Sequence, residues 1–237
     1  MIDRNLLQIE AASFGIATDE TALERFDLYS SELVRVNEYL NLTAITDPKE
    51  ILYKHLLDSL AVLRYIELKA GAKCIDVGTG AGFPGAALLI ARPDLRMTLL
   101  DSTRKKLTFI SDTLKQIGLS AETLHLRAEE AGQMAAYREQ YDYATARAVA
   151  NLRELCEYCL PFLKVGGTFI AMKSVRTDEE IAEAKNALRL LGGMIEHVET
   201  FTISNAGERT LILIKKISQT PPKYPRPLAK IAKQPLK

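Results

Sequence analysis

Residues 76–85 read Asp-Val-Gly-Thr-Gly-Ala-Gly-Phe-Pro-Gly. An apolar strand-like run, Cys74-Ile75, leads in, and a helix-like run, Ala86-Ala87-Leu88-Leu89-Ile90-Ala91, leads out. Glycines at alternate positions, Gly78, Gly80 and Gly82, let a backbone turn tightly and pass close to a ligand, because no Cβ intervenes. A strand, a glycine turn and a helix start together make a nucleotide-type ligand site. The literal G-x-G-x-x-G of Gly80, Gly82 and Gly85 fits a dinucleotide and S-adenosylmethionine alike. What separates the two lies downstream.

From Lys73 the pattern alternates. Strands are predicted at 73–77, 96–101, 122–126, 141–146 and 167–172, with helices at 84–92, 103–117, 151–163 and 177–191. Gly118 and Gly192 sit where helices should stop. Such alternation means a parallel sheet with helices on both faces. After Gly192-Gly193 come two strand-like runs, about 194–203 and 208–216, joined by Ser204-Asn205-Ala206-Gly207, which predicts an antiparallel hairpin. A terminal hairpin is unlike the second half of a dinucleotide dehydrogenase. It resembles the Rossmann-like class I sheet of S-adenosylmethionine-dependent methyltransferases, an α/β fold that is mostly parallel and ends antiparallel.

Helices precede the sheet. Leu23, Phe26, Leu33, Val36 and Leu40 recur near helical spacing, with Asp19 as N-cap. Asp47, Pro48 and Glu50 announce a further helix from Ile51 to about Tyr65. The expected organisation is a helical cap at 1–68, a methyltransferase-type core at 69–217 and a tail at 218–237. The tail holds five prolines, several lysines and Arg226, with no acidic residue. It reads either as a flexible solvated end or as an arm that orders on RNA phosphates.

The chain has 237 residues, 47% of them hydrophobic, and a net charge of +1. That suits one large domain, or one with an appendage, and excludes polyanion binding by bulk charge. No run approaches the roughly 20 apolar residues of a membrane span. The N-terminus lacks the plan of a signal peptide. Three cysteines point to a reducing cytoplasm rather than a disulfide framework, so a cytoplasmic protein is expected. The sequence sets no oligomeric state, and a monomer is the working expectation.

Asp76 and Asp101 stand at the ends of the first two strands. An acid about 20 residues beyond a glycine loop can bond a ribose hydroxyl pair. Asp101 is otherwise a helix N-cap, a role Ser102 or Thr103 equally fills. Arg127-Ala128-Glu129 follows the third strand and Arg147 the fourth, so both face the ligand edge. A backbone amide near Ala128 or Glu129 suits an adenine edge. Arg147 either holds a carboxylate or phosphate or snorkels over the sheet end. His55, Asp58 and Ser59 share a helical face, either a polar patch on the cleft or local capping. Asn41 is a C-cap or a base contact. Lys173, Arg209, Lys215 and Lys216 are phosphate-binding candidates. Cys156-Glu-Tyr-Cys159 falls inside a helical run, where packing outweighs redox or zinc chemistry. No metal site is expected, and His125 and His197 carry no motif.

The chain resembles the bacterial small-subunit (16S) rRNA guanine 7-nitrogen methyltransferases, the glucose-inhibited division protein B family, over nearly its whole length. The resemblance rests on Asn41-Leu42-Thr43, His55-Leu56-Leu57-Asp58-Ser59, the 76–85 loop, Asp101-Ser102, Arg127-Ala128-Glu129, Ala146-Arg147-Ala148, Lys173 and Lys223-Tyr224-Pro225-Arg226. It implies S-adenosyl-L-methionine held at Gly78, Phe83, Asp101, Ala128, Glu129 and Arg147, with Gly80, Ser102 and Thr103 beside them. It implies 16S rRNA, the small ribosomal subunit or an assembly intermediate as partner. Asn41, His55, Asp58, Lys173, Arg209, Lys223 and Arg226 would then meet RNA, with Arg147 and Lys173 as orienting groups. A guanine 7-nitrogen carries no proton before attack, so no general base is needed, and proximity and electrostatics suffice. The alternatives are methylation of another RNA or small molecule, a dinucleotide-dependent oxidoreductase, and a non-catalytic RNA-binding module.

Overall fold

Seven strands form one sheet in the order β3-β2-β1-β4-β5-β7-β6. The computed structural model describes residues 1–147, 150–173 and 177–236. The strands are β1 Lys73–Val77, β2 Arg96–Asp101, β3 Glu122–His125, β4 Tyr141–Arg147, β5 Leu163–Lys173, β6 Gly193–Ile203 and β7 Gly207–Lys216. Strands β1 to β5 run parallel, while β7 lies antiparallel between β5 and β6. The expected hairpin is therefore present. Its turn carries Asn205 and Gly207 at positive φ, a conformation these two residue types tolerate.

Register decides where the chemistry sits. Asp76 pairs with Leu99 and Thr145, and Arg147 pairs with Met172. The residues that follow or end β1, β2, β4 and β5, namely Gly78, Asp101, Arg147 and Lys173, thus arrive at one edge of the sheet. Ligands bind outside the carboxyl ends of parallel strands.

Helices cover both faces. α1 (Arg4–Ser13) and α2 (Glu20–Leu40) share a core with α6 (Gly85–Ala91) and α7 (Arg104–Gln116), where Phe26, Tyr29 and Leu33 are fully buried. Asp19 caps α2, its carboxylate accepting from Ala22 N at 2.7 Å. Asn41 ends α2 in the left-handed region, so its capping role is the one the backbone adopts. On the other face, α8 (Ala128–Ala131), α9 (Leu152–Cys159) and α10 (Asp178–Leu191) build a second core around Phe162 and Phe169. Cys156 and Cys159 lie in it, and burial pushes both thiols up, as packing residues.

The helix expected from Ile51 to Tyr65 is broken into pieces. α3 (Pro48–Ile51) passes into a π-helical turn over Leu52–Leu57, then α4 (Asp58–Leu60) and α5 (Val62–Tyr65). Such turns widen a helix locally and recur at functional sites. This one carries His55.

The tail departs most from expectation. Residues 218–236 pack onto the second core: Tyr224, Ile231 and Leu236 are buried, and Leu228–Lys233 forms a short helix, α11. The cause is polar as well as apolar. Glu157 is wholly buried in α9, and a buried carboxylate needs a cation. Arg226 supplies it, through Nε at 2.8 Å and Nη2 at 2.6 Å, while its backbone N donates to the same carboxylate at 2.9 Å. Arg138 donates to the carbonyls of Thr220 and Tyr224 at 2.6 and 2.7 Å. Lys216 is fully buried, donating to Leu160 O and to the Thr220 hydroxyl. Arg226 and Lys216 are therefore structural cations, withdrawn from the phosphate-binding role the sequence suggests.

Candidate functional site

Asp101 organises the glycine loop. Its Oδ2 accepts from Gly80 N at 3.0 Å and its Oδ1 from Thr103 N at 2.8 Å. The carboxylate thus ties the loop after β1 to the turn entering α7. Each oxygen keeps a lone pair for a further donor. Gly78 N and Thr79 N both donate to Leu100 O, at 2.9 and 3.0 Å, which pins the loop against β2.

The loop glycines divide by role. Gly78 and Gly80 have φ of 73° and 60° and line a cleft. A Cβ on Gly80 would meet nothing nearer than Gly78 O at 4.0 Å, so it would project toward a ligand. Gly82 and Gly85 serve the fold instead. A Cβ on Gly82 would overlap the Tyr29 hydroxyl, which donates to Ala81 O at 2.8 Å. A Cβ on Gly85 would stand 2.7 Å from Asp76 Cβ. Asp76 is itself fully buried, accepting from Gly85 N at 2.9 Å and Thr145 Oγ1 at 2.8 Å. It is a tie between β1, β4 and α6, away from the cleft.

The first cleft holds about 450 Å³. Gly78, Gly80, Asp101, Ser102, Thr103, Ala128 and Glu129 all line it. Sequence reasoning missed Lys106, Leu126, Glu154, Tyr158, Leu228 and Ala232 on its walls. Leu126 follows β3, directly before Arg127-Ala128-Glu129; the others belong to no motif, and only the packing of α7, α9 and α11 brings them there.

Phe83 and Arg147 belong to a neighbouring site. A second cleft, about 260 Å³, is lined by Ile45, Lys54, His55, Asp58, Arg147, Met172, Lys173 and Arg209. Phe83 backs it: the His55 ring stacks on Phe83 at 4.6 Å and 13°, and the Arg147 guanidinium lies 5.5 Å over the same ring. Asp58 is buried between two cations, accepting from Arg147 Nη1 and from Arg209 Nε, each at 2.8 Å. Arg147 also donates to Lys54 O at 3.0 Å and lies 3.2 Å from His55 Nδ1. Lys173 donates to Ala150 O at 2.8 Å and pairs with Glu180 at 2.7 Å. Four of the expected RNA-contacting residues therefore converge here. Lys223 lies apart and exposed on the tail, and Asn41 lines neither cleft.

Burial, and then the charge of Arg147, pull the His55 pKa down to about 4. The ring is neutral near pH 7, and its Nε2 meets the Thr43 hydroxyl at 3.0 Å. Among the described residues no cluster of His, Cys, Asp and Glu suits a metal ion, and no helix is long and apolar enough to cross a membrane.

A mostly parallel sheet ending in a hairpin, with a glycine loop and a strand-end acid on one cleft, defines a class I S-adenosylmethionine-dependent methyltransferase fold. Solved structures share it. A putative methyltransferase of Bacillus halodurans superposes with a TM-score of 0.55 at 15% identity, over 68% of this chain and 100% of its own. An S-adenosylmethionine-dependent O-methyltransferase of Thermotoga maritima gives 0.53 at 17%, over 80% and 72%. At such identities the likeness concerns fold alone. Family membership comes from sequence: the family described as rRNA small subunit methyltransferase G matches residues 22–212, and the chain belongs to it. Ribosomal RNA small subunit methyltransferase G of Lactobacillus delbrueckii subsp. bulgaricus is 48% identical over 90% of this chain and 91% of its own. The protein of that name from Alkaliphilus metalliredigens is 43% identical over the full length of both.

Proposed function

We propose that this chain transfers a methyl group from S-adenosylmethionine to the 7-nitrogen of a guanine in small-subunit ribosomal RNA. The observation that carries this reading is the pair of clefts at one sheet edge, joined by the glycine loop, whose Gly78 and Gly80 line one and whose Phe83 backs the other. The first cleft fits the cofactor: a carboxylate with free lone pairs for a ribose diol, a glycine, Gly80, whose Cβ would intrude, and apolar walls for a purine. Gly78, Gly80, Asp101, Ala128 and Glu129 would hold it. It supplies an electrophilic methyl on a sulfonium.

The second cleft, lined among the described residues by Lys54, Arg147, Lys173 and Arg209 against the one carboxylate of Asp58, suits the phosphates that flank a base and would present the base beside Phe83 and the glycine loop. His55 is neutral there, so it adds no repulsion. Asp58 offsets part of the charge on Arg147 and Arg209. Those guanidiniums and Lys173 remain close enough to the cleft to orient a phosphate or the cofactor's carboxylate. The guanine 7-nitrogen offers a lone pair without losing a proton, so no residue here has to act as a base.

Mapping 7-methylguanine in 16S rRNA from cells with and without this protein tests the reading. The expected result is one modified guanine lost on deletion and restored by the gene. An unchanged map would overturn it. Presenting naked 16S rRNA, assembly intermediates and finished subunits to the purified enzyme identifies the form it methylates. Thermal stabilisation by S-adenosylhomocysteine but not by NAD separates a methyltransferase from an oxidoreductase.

A further inference from the structure

We infer that the C-terminal segment is part of the cofactor site: α11 forms its purine-side wall, and the Arg226–Glu157 pair locks that wall in place. This rests on the reading of the first cleft as the S-adenosylmethionine site. α11 has two working faces. Ile231 is fully buried in the second core and anchors one face. Leu228 and Ala232, four residues apart and so on one side of the helix, line the cleft. Both are solvent-exposed, Leu228 by 37%. Around the same cleft stand the apolar groups of Leu100, Leu126 and Tyr158. An exposed leucine that lines a cleft together with other apolar side chains suits a flat apolar-faced ring, and the purine is that part of the cofactor.

The attachment of α11 supports the same end of the ligand. Pro225 lies against Gly132, directly after α8, where an added Cβ would come within 2.9 Å of Pro225 Cγ. α8 begins with Ala128 and Glu129, which line the cleft. Glu157 lies in α9 one residue before the lining Tyr158. The tail is therefore fastened to the two elements that build this wall. Fastening uses two charge-assisted bonds and one backbone bond to a carboxylate with no exposed surface.

The test is calorimetry on the full-length protein with S-adenosylhomocysteine and with 5′-methylthioadenosine, which keeps the adenosine and lacks the amino acid. Leu228→Ala removes exposed surface and leaves the anchors intact. It should weaken both ligands by the same factor, about tenfold. Ala232→Phe should fill the cleft there and weaken both further. Arg226→Ala should do the same through the lock, with Arg226→Lys intermediate, because lysine forms one bond where arginine forms two. In turnover, the loss should appear in KM for S-adenosylmethionine rather than in kcat, which a general loss of fold would not produce. Wild-type affinity in both Leu228→Ala and Ala232→Phe would overturn the wall while leaving the cofactor site standing. Failure of the wild-type protein to bind either ligand would instead overturn the cofactor reading, and the wall with it.

Discussion

Arg147 and Asp58 stand 89 positions apart in the chain and 2.8 Å apart in space. The bond joins the end of β4 to the helical segment before the sheet. Asp58 also takes Arg209 from the hairpin at 2.8 Å, so one buried carboxylate holds three regions of the chain on the second cleft. Asp58→Ala leaves two mostly buried guanidiniums without their carboxylate. Breaking such a pair from one side costs about 3–5 kcal/mol when burial is complete. With Arg147 and Arg209 still partly exposed, about 2–3 kcal/mol is expected in urea unfolding. Arg147→Lys keeps the charge but loses the fork, and should lower methylation without that loss of stability.

His55 predicts an acid-sensitive fold. In the folded protein its pKa is about 4, against 6.5 for an ordinary histidine, because burial and Arg147 oppose its charge. Between those values the unfolded chain binds the proton and the folded chain does not. Stability from this group is therefore complete above pH 6.5 and falls as pH drops toward 4, by about 3 kcal/mol at most. Urea midpoints measured from pH 7 to 4 should fall less steeply in His55→Gln. Equal slopes would mean that His55 charges without cost.

The loop glycines offer a clean separation of binding from folding. Gly80→Ala places a methyl toward the first cleft at a left-handed position, which costs about 1–2 kcal/mol of stability. Its larger effect should be on S-adenosylhomocysteine affinity. Gly82→Ala drives a methyl into Tyr29 and should lower the melting temperature far more. Gly78, also left-handed, is costlier to substitute; Gly78→Val should abolish cofactor binding, read by calorimetry on a variant shown to be folded. Similar losses of stability at Gly80 and Gly82 would dissolve the distinction.

Asp101 bonds the loop before any ligand arrives, so Asp101→Ala removes the carboxylate acceptors of two backbone N–H groups as well as the proposed ribose contact. Cofactor affinity should fall by about 1–3 kcal/mol. Asp101→Asn keeps one acceptor oxygen and should lose less. An alanine variant with unchanged affinity would leave Asp101 a loop tie alone.

Local signals made the architecture legible. Glycine stops at Gly118 and Gly192, the caps at Asp19 and Asp47, and the absence of a helix between the last two strands all act within a few residues, where sequence and geometry are closely coupled. The first cleft was legible for the same reason, since strand ends are fixed by topology. The second cleft needed contacts between residues as distant as Asp58 and Arg209, 151 positions apart. Spacing alone could only put His55 and Asp58 on one face. The tail misled because its composition is that of a solvated end. Nothing local to it reveals that Glu157, in the middle of α9, lacks a cation until Arg226 arrives.

That pairing makes the tail's contribution to stability measurable. Deleting 218–237 strips Arg226 from Glu157, Thr220 from Lys216, and Tyr224, Ile231 and Leu236 from the core. The melting temperature should fall substantially, where a solvated tail would leave it unchanged. Point variants assign the cause. Arg226→Ala leaves Glu157 buried and unpaired, a cost of about 3–5 kcal/mol for a pair this enclosed. Glu157→Gln alone and together with Arg226→Ala complete the set; the double variant leaves no buried charge and should recover most of that loss. The four-protein cycle, read by urea unfolding, then isolates the coupling between the two residues. Additive losses across the cycle would mean that the ion pair holds nothing and that the apolar anchors alone keep the tail in place.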